Sequence, residues 1–257
     1  LPAEIQSALV GLESSGENIK TASASDVFRY ENSSSGAVAF LKIQRPSWSP
    51  PLSIEVEVME WLCEKLPVPE VIAYHREDDV EYLVTTAVPG IPSHDRSCHV
   101  DKQRLVEQLA ESLHTIHALP INDCPIDKTP TGLIAWGRQR IRAGIITSKM
   151  VEEENLTGSP DEALDWLEGR MPSLEGPVIT HGDYCLPNVL IHNHKVSGFI
   201  DLGYFGLGDP YRDFIAAQSS VRRNLGEAWV QPFFDAFGRE SLDEPKLRWY
   251  RQIQAFD

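Results

Sequence analysis

Residues 181–203, HGDYCLPNVLIHNHKVSGFIDLG, constrain this chain more than any other stretch. Two carboxylates and one amide stand there in fixed order: Asp183, then Asn188 five positions on, then Asp201 beyond a turn. Val178-Ile179-Thr180 reads as a short strand ending in the loop, Val189-Leu190-Ile191 begins a second strand, and residues 195–200 form a third, with His192-Asn193-His194 as the turn. Asn188 and Asp201 then sit at the ends of one hairpin. HGD or DLG alone reads as an ordinary turn, because Asp and Gly close together mark turns. Both together, with an asparagine and a hairpin between them, carry more information than that.

The spacing is that of a kinase catalytic loop, in which an Asp orients the acceptor hydroxyl, an Asn five residues later meets a metal, and a second Asp bridges metal to phosphates. Phosphoryl transfer needs little covalent help from the protein, so catalysis reduces to holding two anionic reactants in line while a divalent metal masks their charge. Asn188 and Asp201 are hard oxygen ligands suited to Mg²⁺, which binds through one or two carboxylates plus phosphate. Asp183, free of metal, can accept a hydrogen bond from a hydroxyl and aim it at the γ-phosphorus of ATP.

At 257 residues the chain has room for one large or two small domains. No apolar run approaches a membrane span and no signal-peptide pattern opens the chain, which points to the cytoplasm. The formal charge of −15 argues against nucleic acid or an anionic membrane as partner and favours a cationic small molecule, although acidity also serves solubility. Four scattered cysteines, Cys63, Cys98, Cys124 and Cys185, form no metal or CxxC spacing and read as free thiols. Oligomeric state, and ATP versus GTP, stay open.

In chain order, residues 2–12 have helical spacing, and residues 27–30 and 37–43 pair as a hairpin. The preceding turn, TASASD, lacks glycine, but Ser23 can donate a hydrogen bond to a phosphate. Lys42 lies within the strand AFLKI on the side of Phe40, resembling the strand lysine that contacts α- and β-phosphates in kinases; a solvated lysine is the alternative. A helix follows Pro50-Pro51 over residues 54–65. Residues 70–75 read as a connecting segment and 81–86 as a strand. Two prolines and a glycine in TTAVPGIP mark a linker, dividing the chain into residues 1–88 and 89–257. Residues 101–117 are the clearest helix, with Leu105, Leu109, Leu113 and Ile116 on one stripe. His114 and His117 lack the acidic partner of an HExxH frame and read as core or surface histidines. Further helices are expected near residues 133–147, 161–168, 211–223, 227–237 and 243–256. Asp209 and Asp213 are expected to brace the catalytic loop through backbone hydrogen bonds.

The run HGDYCLPNVLI…VSGFIDLGYFGLGDPYRD resembles the aminoglycoside 3′-phosphotransferases, whose pattern is HGDxxxPN followed by GxIDxGRxGxADRYxD. FLKI, WLCEKLPVPEV and HALPINDCP extend the likeness over nearly the whole chain. The resemblance implies an α/β (α+β), two-lobed protein-kinase-like fold, with a small β-rich N-lobe that binds nucleotide and a larger, mostly helical catalytic C-lobe. It implies an enzyme that moves the γ-phosphate of ATP, with Mg²⁺, to the 3′-hydroxyl of an aminoglycoside, conferring resistance. By the same resemblance Glu55 fixes Lys42, Phe40 stacks on adenine, and the backbone of Thr86 and Val88 bonds the adenine edge. Glu152 and Glu153 fall where the family holds substrate amino groups, although a charge run is also a common solvated face; Arg222 matches an arginine near the substrate.

Two departures bear on the acceptor: Tyr204 stands where the family has Arg, and IQAFD replaces the terminal acidic pair, leaving Asp257 as the nearby anion. The rivals are a kinase of another small alcohol (choline, homoserine or macrolide type) and a catalytically silent nucleotide-binding module. A protein kinase fits less well, because the segment after Asp201 is too short for an activation loop.

Overall fold

A computed structural model describes residues 1–19, 24–47, 49–174, 176–239 and 241–257. Helix α1 (Ala3–Ala8) precedes five antiparallel strands, β1 (Glu13–Asn18), β2 (Asp26–Glu31), β3 (Val38–Gln44), β4 (Val71–Glu77) and β5 (Val80–Thr86), ordered β1-β2-β3-β5-β4. Side-chain alternation gives this sheet two faces. Ala39 and Leu41 of β3 and Val84 of β5 point to one, where Ile5 and Leu9 close a small core over them. Phe40 and Lys42 lie on the other, towards helix α2 (Leu52–Leu62), whose Val58, Met59 and Leu62 join Leu83 of β5 in the larger core.

The hairpin and the helix after Pro50-Pro51 form as read, with α1 and α2 each shorter than expected. Two strands of this sheet were not expected. β1, ESSGEN, has no apolar alternation; it is held at the edge by Asn18, whose Oδ1 accepts from the Val27 N–H at 3.1 Å and whose Nδ2 donates to Asp26 Oδ1 at 2.7 Å. The segment read as a connection at residues 70–75 is largely β4, and a bulge between Val71 and Ala73 hides its period.

Pro51, at the N-cap of α2, makes no side-chain cap. Glu81 of β5 supplies it: its Oε2 accepts from the Leu52 N–H at 3.0 Å and its Oε1 from the Ser53 N–H at 3.2 Å, with the Tyr74 hydroxyl donating to Oε1 at 2.6 Å. A carboxylate there also meets the positive end of the helix. Helix α2 is thereby tied to the sheet, which sets where Glu55 points.

The chain then enters a mostly helical half comprising β6 (Ile91–Pro92), α3 (Lys102–His117), β7 (Asp127–Lys128), α4 (Pro130–Arg142), α5 (Ser148–Glu153), α6 (Pro160–Glu168), β8 (Val178–Thr180), β9 (Val189–His192), β10 (Lys195–Phe199), β11 (Gly206–Gly208), α7 (Tyr211–Leu225), α8 (Val230–Ala236) and α9 (Glu244–Ile253). Helix α3 is its axis, burying Leu105, Leu109, Leu113 and Ile116 and started by the Asp101 side chain, which accepts from the Arg104 N–H. Helix α4 begins earlier than expected because Thr129 caps it, and stops before Gly144, which takes φ +70°. Two small sheets, β10-β9-β6 and β7-β11-β8, carry the loops that matter. A small β-rich half followed by a larger helical one is the architecture expected. No described helix is long and apolar enough to cross a membrane.

Glu81→Gln keeps the shape of the α2 cap and removes its charge, so unfolding should become easier by about 1–2 kcal/mol. Calorimetry should show Tm falling by roughly 2–6 °C. An unchanged Tm would show that the cap contributes nothing.

Candidate active site

The loop at residues 181–188 is held from several sides. β8 and β11 are antiparallel neighbours with Thr180 opposite Gly206, so the residues just after Thr180 run beside those just before Gly206. Gly182 takes φ +81°, and a Cβ there would lie 2.2 Å from the Tyr204 carbonyl oxygen, so no other residue fits. The fully buried Asp213 of α7 accepts from the His181 N–H at 3.1 Å (Oδ2) and the Gly182 N–H at 2.7 Å (Oδ1), the brace expected of it. Further along, the Tyr184 hydroxyl bonds the Leu109 carbonyl at 2.7 Å and Ser112 Oγ at 2.6 Å, and Ser220 Oγ accepts from the Leu186 N–H at 2.9 Å. Asp209 does not share in this. Its Oδ1 accepts from the Tyr211 N–H at the start of α7, and its Oδ2 pairs with Lys246 at 2.7 Å.

The hairpin β9–β10 brings the three oxygen-bearing side chains together. Val189 lies opposite Phe199, and the Ile200 N–H donates to the Asn188 carbonyl at 3.0 Å, which leaves Asp201 just beyond Asn188 at the open end. Asn188 Nδ2 donates to the Asp183 carbonyl oxygen at 3.0 Å and to Asp183 Oδ2 at 2.9 Å. Asp201 adopts φ +63°, a left-handed conformation that costs roughly 1–3 kcal/mol in a residue with a side chain. Its surroundings hold it there: Lys42 Nζ lies 3.3 Å from Asp201 Oδ1, and the next N–H, of Leu202, donates to Glu55 Oε1 at 3.3 Å. The Lys42 ammonium keeps Asp201 below the usual carboxylate range, whereas burial, reinforced by the Asp201 charge, pushes Asp183 above it. Two carboxylates with opposed proton affinities suit different tasks, one anionic and one able to hold a proton.

Lys42 also meets Glu55 Oε1 and Oε2 at 2.7 and 2.9 Å. Burial works against its charge, but Glu55 and then Asp201 raise the Lys42 ammonium well above its ordinary value, so it stays a cation. Phe40 lies two residues earlier on the same face, half-buried. The Thr86 N–H is taken by the Glu70 carbonyl at 2.9 Å and the Ala87 N–H by that of Val38 at 3.3 Å, while the Val88 N–H has no hydrogen-bond partner among the described residues. The Thr86 N–H is therefore not available to a ligand, whereas that of Val88 is. Ser23 lies outside the described residues.

The residues expected at the acceptor are less uniform. Glu152 and Glu153 are exposed on α5, with Glu153 3.6 Å from Lys149. Arg222 is paired with Glu227 across the end of α7. Asp257 is not a presented anion, which corrects the expectation: its carboxylate is buried between Lys128 and Arg212, the latter at 2.7 Å. Burial raises its pKa, but the two cations outweigh that and bring it down to about 2. Arg212, which sequence reasoning did not single out, also donates to Thr180 Oγ1 at 2.8 Å and the Tyr204 carbonyl at 3.0 Å, and so ties β8 and the turn before β11 to Asp257. Cys185 is half-buried beside Asp183, and burial pushes its thiol far up, away from nucleophilic use. His114 and His117 do not pair on a metal. The first bonds the Phe237 carbonyl and the second Asp213.

Among the described residues no three His, Cys, Asp or Glu side chains converge as a metal site. The Asn188 and Asp201 pair nonetheless fits Mg²⁺ shared with a nucleotide. Because Asn188 Nδ2 is committed to Asp183, its Oδ1 is the free end of the amide, and the Asp201 side chain, 38% exposed, can be reached from solvent.

A family model described as "Phosphotransferase enzyme family" matches residues 19–250. An aminoglycoside 3′-phosphotransferase of Niallia circulans is 32% identical over 86% of this chain and 84% of its own length, and one of Streptomyces fradiae is 31% identical over 80% and 79%. Among solved structures, an aminoglycoside-3′-phosphotransferase of type VIII superposes with a TM-score of 0.80 at 26% identity over the whole of both chains. An aminoglycoside phosphotransferase of Streptomyces rimosus, solved with ADP and streptomycin, gives 0.69 at 25% identity, covering 98% of this chain and 95% of that one.

The buried Asp257 generates a pH signature. Its folded pKa lies below the ordinary aspartate value of 3.8, so its contribution is present above that pH and lost as pH falls through about 2. Denaturant unfolding should find Asp257→Asn less stable than the parent by about 2–4 kcal/mol at pH 7, with the gap narrowing below about pH 4. A gap that stays constant down to pH 2 would contradict the pairing.

Proposed function

The chain belongs to the phosphotransferase enzyme family, and we propose that it transfers the γ-phosphoryl group of ATP to the 3′-hydroxyl of an aminoglycoside, as its relatives' names suggest. The observation that carries this is the junction of Asp183, Asn188 and Asp201 at the open end of the β9–β10 hairpin, with the Lys42–Glu55 pair against Asp201. Residues 1–88 would form the nucleotide-binding lobe and residues 89–257 the catalytic and acceptor lobe. The acceptor class is supported by the relatives, by the formal charge of −15 and by the exposed Glu152 and Glu153.

Each residue then has a physical task. Phe40 offers a ring face to adenine, and the Thr86 carbonyl and Val88 N–H offer an acceptor and a donor to its edge. Lys42, kept charged and aimed by Glu55, neutralises phosphate oxygens. Asn188 and Asp201 would hold Mg²⁺, which when bound offsets the charge on the phosphates. Asp183 Oδ2 is fixed by Asn188, so Oδ1 is left to accept a hydrogen bond from the acceptor hydroxyl. The hydroxyl oxygen bonds to the γ-phosphorus as the bond to the β,γ-bridging oxygen breaks. ADP leaves with the electron pair and the hydroxyl proton passes to Asp183. Because the acceptor must be steered rather than activated by a strong base, most of the rate comes from positioning.

Coupled ATP-consumption assays with kanamycin- and neomycin-type compounds should show turnover that disappears for an analogue lacking the 3′-hydroxyl. Asp183→Asn should lower kcat by about 100-fold or more while leaving the KM for ATP within about 3-fold. No turnover with any aminoglycoside would overturn the acceptor assignment, and full activity in Asp183→Asn would overturn the role of that residue.

A further inference from the structure

Arg212 lies in the first turn of α7 and is only 5% exposed, so its hydrogen bonds are shielded from competing water. Its guanidinium meets three acceptors through two nitrogens. Nη1 donates to Thr180 Oγ1 at 2.8 Å, and Nη2 donates to the Tyr204 carbonyl at 3.0 Å and to Asp257 Oδ2 at 2.7 Å. Thr180 precedes Asp183 by three positions, and Tyr204 follows Asp201 by three. The β8–β11 ladder ends where Thr180 faces Gly206. Beyond that pair Gly182 and Tyr204 touch, since a Cβ on Gly182 would lie 2.2 Å from the Tyr204 carbonyl oxygen, yet no backbone hydrogen bond joins them. The guanidinium fills that gap, because the same Cβ would lie 2.8 Å from Nη2. Without it the Tyr204 carbonyl, packed against Gly182, would have no donor among the described residues. Thr180 extends the link, its Oγ1 donating to the Gly206 carbonyl at 3.0 Å. Asp257, itself paired with Lys128, anchors the guanidinium in turn.

We propose that Arg212 is a positioning residue for phosphoryl transfer, clamping the strand end that leads to Asp183 against the turn that follows Asp201 and so fixing the separation of the two carboxylates. This rests on the phosphotransfer reading given above. The alternative is a buried arginine that only balances the charge of Asp257. Balancing needs one positive charge, whereas clamping needs a planar fork that reaches Thr180 and Tyr204 at once.

Arg212→Lys keeps the charge beside Asp257 and loses the fork. It should lower kcat by about 10- to 100-fold, with KM for ATP and acceptor within about 2-fold, as expected when reacting groups are bound but misplaced. A gentler cut leaves Arg212 and Asp257 in place: Thr180→Val removes one leg of the clamp and should lower kcat by about 5- to 20-fold, and Thr180→Ser, which keeps the hydroxyl, should recover most of that loss. A second readout needs no turnover. In ¹H–¹⁵N spectra the Gly182 amide, packed against the clamp, should shift in Arg212→Lys and Thr180→Val and return towards its parent position in Thr180→Ser. If Arg212→Lys does not fold, the two Thr180 variants decide. Parent-like kcat in Arg212→Lys and Thr180→Val, a rise in KM with kcat unchanged, or equal losses in Thr180→Val and Thr180→Ser would overturn the proposal. Should the parent turn over no acceptor at all, the function assigned above fails, and the Gly182 amide decides alone: unmoved in Arg212→Lys and Thr180→Val, it overturns the clamp.

Discussion

The register of β9 against β10 is the constraint from which the rest of the site follows. With Val189 opposite Phe199, the Asn188 carbonyl receives the Ile200 N–H, and Asn188 and Asp201 emerge side by side at the open end. A slip of one residue between the strands would send one of the two side chains to the opposite face. The register is enforced from outside the hairpin as well. The Phe199 N–H donates to the Pro67 carbonyl at 3.0 Å, and a Cβ on Gly198 would come within 2.3 Å of that same oxygen. Glycine at 198 thus lets the hairpin approach the connection that follows α2, the helix that carries Glu55. In this way the lobe holding Lys42 and the lobe holding Asp201 are referenced to the same short ladder.

Buried charge does the remaining positioning. Glu55, Asp213, Asp209, Lys128 and Arg212 are nearly or wholly removed from water. Each has a partner, and removing one member of such a pair costs about 3–5 kcal/mol because the other is left uncompensated. That penalty exceeds the roughly 1–3 kcal/mol of backbone strain at Asp201. Strain at the site can therefore persist, since relaxing it would pull Lys42 and Glu55 out of a geometry that is more costly to lose. The pairs contribute little as a net gain over apolar packing. What they supply is a single arrangement.

Much of this was legible in the sequence, for a physical reason. Asp183, Asn188 and Asp201 lie within 19 positions of one another and are separated by elements with strong local signals, a β-branched strand and a turn. Lys42 was likewise reachable through its strand and α3 through its apolar stripe, whereas Glu55 was reached only through the family resemblance. The missed features depend on partners distant in sequence. Glu81 caps a helix that begins 29 residues earlier, His117 meets Asp213 across 96, and Lys128 finds Asp257 across 129. Strand β1 escaped notice because an edge strand of polar residues has no alternation to read. Asp257 looked like an available anion because nothing in local sequence places two cations beside it.

The central claim is that Asn188 and Asp201 jointly hold a metal that the nucleotide brings. Calorimetric titration of ATP with and without Mg²⁺, on the parent and on Asn188→Ala, tests it most directly. The account predicts that Mg²⁺ tightens ATP binding to the parent, that Asn188→Ala loses about 10-fold or more of this gain, and that metal-free ATP binding stays the same in both. Equal Mg²⁺ enhancement in parent and variant would contradict it.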